Sequence, residues 1–307
     1  MKLDLSLLRQ LCTIPGTSGH EKELSDSLLL YIQKEKKNWK AKPEIFHGDG
    51  FQDCIVLKFG KPRTAIFAHM DTVGFTVRYF NQLLPVGSPD AEDGTILVGH
   101  DSKGPVECVL EFDKENHALY KFGRAIERGT PLSYKVDFKE SSEFVESAYL
   151  DDRLGIYAAL KIAENLTDGV IAFSCWEEHG GGSVPYLAKF IYESWAVRQA
   201  LISDITWVSD GVDHGKGVVI SIRDRNVPRR AFIDQIVSIA EKHEIPFQLE
   251  VEGTGSSDGG ELQRSPYPID WCFVGAPHQH PHTPNEKVHK QDIHSMIELY
   301  HHMMNEL

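Results

Sequence analysis

The sequence has little positive charge, few cysteines and no long apolar run. Its 307 residues include 32 lysines and arginines against 45 aspartates and glutamates, for a formal net charge of −13. Nucleic acids and anionic membranes are bound through basic surfaces, so neither is expected as the main partner. No segment approaches the ~20 consecutive apolar residues of a membrane-spanning helix.

The cysteines are also sparse, and none forms a CxxC pair. The five positions are dispersed: Cys12, Cys54, Cys108, Cys175 and Cys272. An odd, scattered set predicts reduced thiols that are buried as small apolar side chains. The first residues, Met1 to Ser6, lack the apolar stretch of a secretory signal. We therefore expect a cytoplasmic protein with an acidic, water-solvated surface.

What the chain does contain is an alternation of short buried strands and amphipathic helices. Apolar runs predict strands at 51–59, 64–68, 170–174, 200–203, 218–222, 247–251 and 270–275. Apolar residues at helical spacing predict helices near 18–34, 152–163, 183–194, 229–243 and 290–305. This alternation predicts an α/β fold with a mixed central sheet flanked by helices.

The pattern of predicted secondary structure changes between residues 75 and 145. Short β-like segments are separated there by Gly, Pro and Asp turns, and no helical pattern intervenes. We predict a small all-β domain at 75–145, inserted into a catalytic domain formed by residues 1–74 and 146–307.

Two adjacent glutamates, Glu177 and Glu178, follow the apolar strand at 170–174. Carboxylates at the end of a buried strand are costly unless a partner compensates their charge, and a bound metal is one such partner. Three glycines follow at 180–182, which indicates a tight turn or a close backbone approach. We expect this turn to leave room for a substrate side chain near the site.

Other polar residues occupy similar positions at the ends of predicted strands. They are His69 with Asp71 two residues later, Asp151, Asp204, and one of His278, His280 and His282. The carboxyl ends of strands in open α/β sheets form ligand sites. Two imidazoles and several carboxylates match a site for two divalent ions with a bridging carboxylate, where a free carboxylate takes the proton of an activated water. Which glutamate coordinates and which acts as base stays open at this point.

Seven segments in this order carry a family resemblance: 15–21 (PGTSGHE), 68–75 (AHMDTVGF), 150–155 (LDDRLG), 177–178 (EE), 203–206 (SDIT), 257–263 (SDGGELQ) and 282–286 (HTPNE). Together they resemble metallopeptidase family forty-two, the glutamyl and tetrahedral aminopeptidases, within the clan of co-catalytic zinc aminopeptidases. The resemblance spans essentially the whole chain. It implies a fold of the zinc-aminopeptidase type, with a small β domain inserted after the first metal histidine.

The resemblance also implies a role for each matching residue. One metal is bound by His69 and Asp204, the other by Glu178 and His282, and Asp151 bridges them. Glu177 is the general base and Asp71 orients His69, while Asp152 and Arg153 support the bridging carboxylate. Asp258 is a candidate to hold the substrate amine. The implied cofactors are two divalent ions, zinc first, with cobalt or manganese as alternatives.

The resemblance implies a metallo-aminopeptidase that removes N-terminal residues from short peptides, and a homo-oligomer. Two alternatives remain: a deacylase or carboxypeptidase of the same clan, and a metal-binding scaffold without turnover. Two positions depart from the family pattern, namely Thr72 in place of glutamate and the segment His179–Gly182. Since both lie beside the predicted site, substrate preference stays open. The inserted domain is short, so the family's dodecamer is not assumed.

Overall fold

The computed structural model describes residues 3–307, and Met1 and Lys2 lie outside that range. The described residues form seven helices: α1 Ser6–Cys12, α2 Lys22–Glu35, α3 Leu150–Ala163, α4 Val184–Trp195, α5 Arg230–Lys242, α6 Asp258–Arg264 and α7 Lys290–Glu306. Their buried faces carry apolar residues at helical spacing; Leu24, Leu28 and Ile32 form that face in α2. The helices pack on a large sheet.

The large sheet has eleven strands in residues 3–307: β1 Glu44–Gly48, β2 Gln52–Phe59, β3 Thr64–His69, β10 Lys139–Glu140, β11 Phe144–Ser147, β12 Gly169–Ser174, β13 Gln199–Trp207, β14 Val218–Arg223, β15 Phe247–Val251, β16 Asp270–Gln279 and β17 Glu286–His289. Its main path runs β1-β2-β12-β3-β13-β16-β17-β11-β10, and β14 pairs with β15 and β16. The sheet is mixed, as predicted.

The central strands β12, β3, β13 and β16 are parallel to one another. Parallel strands that are covered on both faces need apolar residues at successive positions, and β3 and β12 are buried along their whole length. The register places Ser174 beside His69 at the carboxyl ends of β12 and β3. The residues after these strands therefore meet at one edge of the sheet.

A second sheet has six strands: β4 Gly74–Val77, β5 Leu83–Val86, β6 Ile96–Asp101, β7 Gly104–Phe112, β8 Ala118–Lys121 and β9 Pro131–Tyr134. Its strands are paired antiparallel around a separate apolar core that includes Leu97, Leu110 and Leu132. From Lys139 onward the strands pair in the large sheet again.

One strand end differs from the prediction. Asp204 does not follow a strand that ends at residue 203, because β13 continues to Trp207 beside β16. The glycine-rich segment at 253–260 contains the start of α6 at Asp258, where the Ser257 hydroxyl accepts a hydrogen bond from the amide of Gly259. Ser18 does not cap α2, because its hydroxyl donates to Asp71.

Arg153, in the first turn of α3, is fully buried. Its guanidinium donates hydrogen bonds to the backbone carbonyls of Leu11, Ile14 and Met70. A buried guanidinium is tolerated only when its donors are satisfied, and these three carbonyls perform that function. Arg153 therefore ties the N-terminal segment to the residue that follows His69.

We expect Arg153→Met to destabilise the protein by about 3–5 kcal/mol, because it leaves buried carbonyls without their charged donor. Chemical unfolding followed by circular dichroism measures the effect. Arg230→Met on exposed α5 is the control, since its contact with Asp234 is a surface pair. Equal stability of the two variants would contradict the anchoring role.

Candidate metal centre

A cleft of about 490 Å³ opens where the central strands end, and it is lined by Asp151, Glu177, Glu178, Asp204 and His282. His69 is the last residue of β3, and Glu177 and Glu178 follow β12. Asp204 belongs to β13, and His282 follows β16. The parallel strands thus bring together side chains that are far apart in the sequence.

Asp151 lies between two imidazoles. Its Oδ1 is 3.1 Å from His69 Nε2, and its Oδ2 is 3.6 Å from His282 Nε2. A second carboxylate accompanies each imidazole: Asp204 Oδ1 is 3.8 Å from His69 Nε2, and Glu178 Oε2 is 3.3 Å from His282 Nε2. The arrangement therefore consists of two imidazole–carboxylate pairs with one shared carboxylate.

Asp71 connects His69 to the glutamate pair. Its Oδ1 accepts from the amide of Glu177 and its Oδ2 from the amide of Glu178, each at 3.0 Å. The Ser18 hydroxyl also donates to Oδ2, at 2.6 Å. His69 Nδ1 lies 3.1 Å from the Asp71 carbonyl oxygen and 3.5 Å from its carboxylate. These contacts leave His69 Nε2 directed at Asp151 and Asp204.

Asp152 has a different role in the structure from its neighbour Asp151. Its Oδ2 accepts from the amide of His69 (3.2 Å), and its Oδ1 accepts from the amide of Gly155 (2.8 Å), as a cap of α3 does. The peptide bond between Asp151 and Asp152 is cis. Because both oxygens of Asp152 accept backbone hydrogen bonds, it holds β3 and α3 together, although it lies close enough to His69 and Asp204 to share an ion with them.

Some residues that shape the centre could not be assigned a role from the sequence. The buried Glu286 accepts from the amide of Asp151 through Oε2 at 3.0 Å. From the second sheet's side, Ser88 places its carbonyl oxygen 3.1 Å and its hydroxyl 3.0 Å from His282 Nδ1, and the Tyr134 hydroxyl donates to the His282 carbonyl. These contacts direct His282 Nε2 toward Asp151 and Glu178. Glu286 ends the HTPNE segment that carries the family resemblance, whereas the sequence contained no periodic or spacing signal for Ser88 and Tyr134.

Of the three histidines considered after β16, His282 alone pairs with Asp151 and Glu178 within residues 3–307. His278 is buried, its Nδ1 lies 2.6 Å from the Thr206 carbonyl, and burial lowers its pKa to about 4. His280 is exposed.

The charges at the centre fit a divalent cation. Within residues 3–307, the ion pairs of Asp151, Glu178 and Asp204 all go to His69 and His282. Burial raises the pKa of Glu178 well above its usual value, and the neighbouring Asp151 adds to the rise. Glu178 Oε1 is buried and has no hydrogen-bond partner in the described residues. A cation would compensate this excess of carboxylate charge.

Glu177 differs from Glu178 because its side chain makes no hydrogen bond or ion pair within residues 3–307 and lines the cleft. Burial raises its pKa well above the usual value; His69 opposes the rise, while Glu178, Asp204 and Asp258 add to it. A free carboxylate with a raised pKa, next to a candidate metal centre, is suited to accept and return a proton.

The glycine turn at 180–182 does not line the cleft. Gly180 and Gly181 have positive φ values of 109° and 66°, and a side chain at Gly181 would collide with the carboxylate of Glu261. The turn therefore packs against α6, and the expectation that it makes room for a substrate side chain is wrong. The glycines satisfy a backbone requirement.

Asp258, the candidate for holding a substrate amine, lies behind the cleft. It is buried, and its Oδ2 accepts from the Ser174 hydroxyl at 2.5 Å. It is absent from the residues that line the cleft. Burial raises its pKa to about 6. Its position fits an electrostatic influence on Glu177 better than contact with a substrate.

Glu21 links the N-terminal segment to the strand exit, since its Oε1 accepts from the amides of Gly19 (2.9 Å) and Trp176 (3.3 Å). Burial raises its pKa to about 7, against about 4.3 in an unfolded chain. Between these values the folded chain retains a proton that the unfolded chain releases, so this group's contribution to stability falls as pH rises and its penalty is fully present above pH 7.

The variant Glu21→Gln keeps the accepting oxygen but cannot ionise. We therefore expect the difference in unfolding free energy between Glu21→Gln and the wild type to grow by about 2 kcal/mol, in favour of the variant, from pH 5 to pH 8. Urea unfolding at both pH values measures this difference. Glu23→Gln, at an exposed position in the first turn of α2, should show the same pH dependence as the wild type. If the unfolding free energies of Glu21→Gln and the wild type change equally between pH 5 and pH 8, the proposed link between Glu21 protonation and stability is refuted.

Comparison with known proteins identifies the family of this chain. The sequence model of the M42 glutamyl aminopeptidases matches residues 111–299, which is more than half of the chain. This chain belongs to the M42 glutamyl aminopeptidase family. It is accordingly a hydrolase of peptide bonds, as the sequence motifs predicted.

Relatives of this M42 member extend over its full length. The lysyl aminopeptidase of Pyrococcus furiosus is 23% identical, with 99% of this chain and 98% of that protein covered. An aminopeptidase from the archaeon Desulfurococcus kamchatkensis has a TM-score of 0.87 at 21% identity, over 99% of this chain and 94% of that one. The dodecamer PhTET1-12s has a TM-score of 0.85 at 21% identity, with both chains fully covered. The structural similarity establishes the fold.

Among residues 3–307, no helix is long and apolar enough to cross a membrane.

Proposed function

We propose that this M42 member is an aminopeptidase that removes N-terminal residues from short peptides with two divalent ions bound in the cleft. His69 and Asp204 would hold one ion, Glu178 and His282 the other, and Asp151 would bridge them. The observation that carries the proposal is the position of Asp151, whose two oxygens face the two imidazoles at 3.1 and 3.6 Å. Zinc fits this nitrogen and oxygen ligand set, as do cobalt and manganese.

The residues divide the chemistry among them. When bound, the ions supply Lewis acidity toward the scissile carbonyl and the attacking water. Glu177 takes a proton from that water and delivers it to the leaving amine. Asp71 fixes the backbone of both glutamates, so that Glu177 stays directed into the cleft while Glu178 faces His282.

Metal analysis of freshly purified protein, combined with a panel of aminoacyl-anilides and N-acylated amino acids, tests this function. We expect about two ions per chain and turnover of the aminoacyl-anilides only. Turnover restricted to the N-acylated compounds would indicate a deacylase, and bound metal with no turnover would indicate a scaffold.

Three further features complete the proposal. The catalytic domain comprises residues 1–74 and 146–307, with the β domain at 75–145 inserted. The separate core of the second sheet supports this division, although the strands from Lys139 onward pair in the large sheet. The protein forms a homo-oligomer, for which the assembly of PhTET1-12s is the precedent. It is cytoplasmic, and its five free, buried cysteines fit a reducing compartment. Light scattering of the purified protein tests the second feature.

A further inference from the structure

The cleft that holds the candidate metal centre is also lined by carboxylates that the proposed mechanism does not use. Asp224, just after β14, and Glu250, in β15, both line the cleft. Their exposed fractions are only 9% and 5%. Within residues 3–307, neither forms an ion pair with a lysine, arginine or histidine, and the charge of Asp224 adds to the rise in the pKa of Glu250. Buried carboxylates without a cation are costly, so a cationic ligand would be favoured here.

Each carboxylate is held in place by neutral hydrogen bonds. The Asp224 Oδ1 accepts from the backbone and side-chain amides of Asn226, and Asn226 in turn donates to the Ser256 hydroxyl at 3.2 Å. The Glu250 Oε1 accepts from the Thr206 hydroxyl. The Asp224 Oδ2 accepts no hydrogen bond in the described residues. Burial raises the pKa of both groups, and the charge of the neighbouring Arg223 opposes the rise at Asp224.

The two acids share their cleft with the catalytic centre, and the cleft also has apolar lining. Thr206 lies two positions after Asp204 in β13, so both side chains point to one face of the strand. Phe273 and the 40%-exposed Trp207 also line the cleft. An aliphatic stem with a positive end matches a cleft that is lined by both apolar and acidic side chains, and an aromatic face adds to the attraction for a cation.

We infer that Asp224 and Glu250 form a specificity pocket for a cationic N-terminal side chain, so that the enzyme prefers peptides that begin with lysine or arginine. This inference rests on the proposed function and specifies its substrate class. Arg225 also lines the cleft, but it is exposed. Water screens the charge of Arg225 more than it screens the charges of the buried acids. Arg225 therefore does not reverse the preference for a cationic side chain.

Steady-state kinetics on lysyl-, arginyl-, leucyl- and glutamyl-anilides test the pocket. For the wild type, we expect kcat/KM to be at least about 10-fold higher with lysyl and arginyl substrates than with leucyl, and lowest with glutamyl. Glu250→Gln and Asp224→Asn should each lower lysyl turnover by about 10- to 100-fold and change leucyl turnover less than about threefold. Glu241→Gln, an exposed acid on α5, is the matched control and should change neither.

The outcomes separate this inference from the function on which it rests. Turnover of no aminoacyl substrate would refute the proposed function itself. Equal wild-type rates on lysyl and leucyl substrates, or an equal loss on both in the variants, would overturn the pocket and assign the acids to the common α-ammonium group. A preference for glutamyl substrates would overturn it in favour of Arg225. If a variant fails to fold, the wild-type panel still distinguishes a cationic preference from a glutamyl preference, from equal rates and from no turnover.

Discussion

Glu177→Gln is expected to lower kcat by about 100- to 10,000-fold while leaving two ions bound. Glutamine has nearly the same size and can occupy the same position, but it cannot accept a proton from water at neutral pH. Loss of a general base accounts for about 10²–10⁴ in rate. The Glu177 side chain makes no hydrogen bond or ion pair within residues 3–307, and its backbone amide donates to Asp71. Activity should therefore fall without a loss of stability or metal content.

The adjacent glutamate provides the matched control for this experiment. Glu178 Oε2 lies 3.3 Å from His282 Nε2, so Glu178→Gln should lose metal as well as activity. Metal analysis and single-turnover kinetics on both variants distinguish the two roles. If Glu177→Gln loses its metal, or if it hydrolyses aminoacyl substrates at the wild-type rate, the assignment of base and ligand is incorrect.

The clustering of the site residues could be predicted from the sequence because it follows from sheet geometry. His69, Glu177 and Glu178 come at the ends of apolar segments whose continuous hydrophobicity predicts parallel, buried strands. Parallel strands end at the same edge, and this places the residues that follow them together. The mixed α/β fold was predictable for the same reason. The roles carried over from the family remain predictions that the variants described here test.

The contacts that orient these residues were not accessible in the same way. Asp71 accepts from amides more than 100 positions away, and Ser88 meets His282 across 194 positions. Such pairs depend on how the second sheet and the N-terminal segment pack on the large sheet, and no local periodicity encodes that packing. The glycine turn illustrates the opposite error, because Gly181 lies against Glu261 of α6 and the turn does not line the cleft.

Asp151→Asn is expected to abolish activity and to reduce bound metal from two ions to one or none. Among residues 3–307, Asp151 alone pairs with both His69 and His282, and an amide offers one weakly coordinating oxygen in place of two charged ones. A ligand that binds only the folded protein stabilises it by RT ln(1 + [L]/Kd). The wild type should therefore melt at a higher temperature with metal than after chelation, and Asp151→Asn should lose that metal-dependent gain.

Melting curves with chelator and with added zinc, together with metal analysis, measure both parts of this prediction. Asp210→Asn, at an exposed position after β13, is the control and should retain the wild-type response to zinc. The comparison with and without metal isolates the role of Asp151 as a ligand, because any structural effect of the substitution is present in both conditions. If Asp151→Asn binds two ions with the full thermal gain, the two pairs are independent sites and the bridging role is excluded.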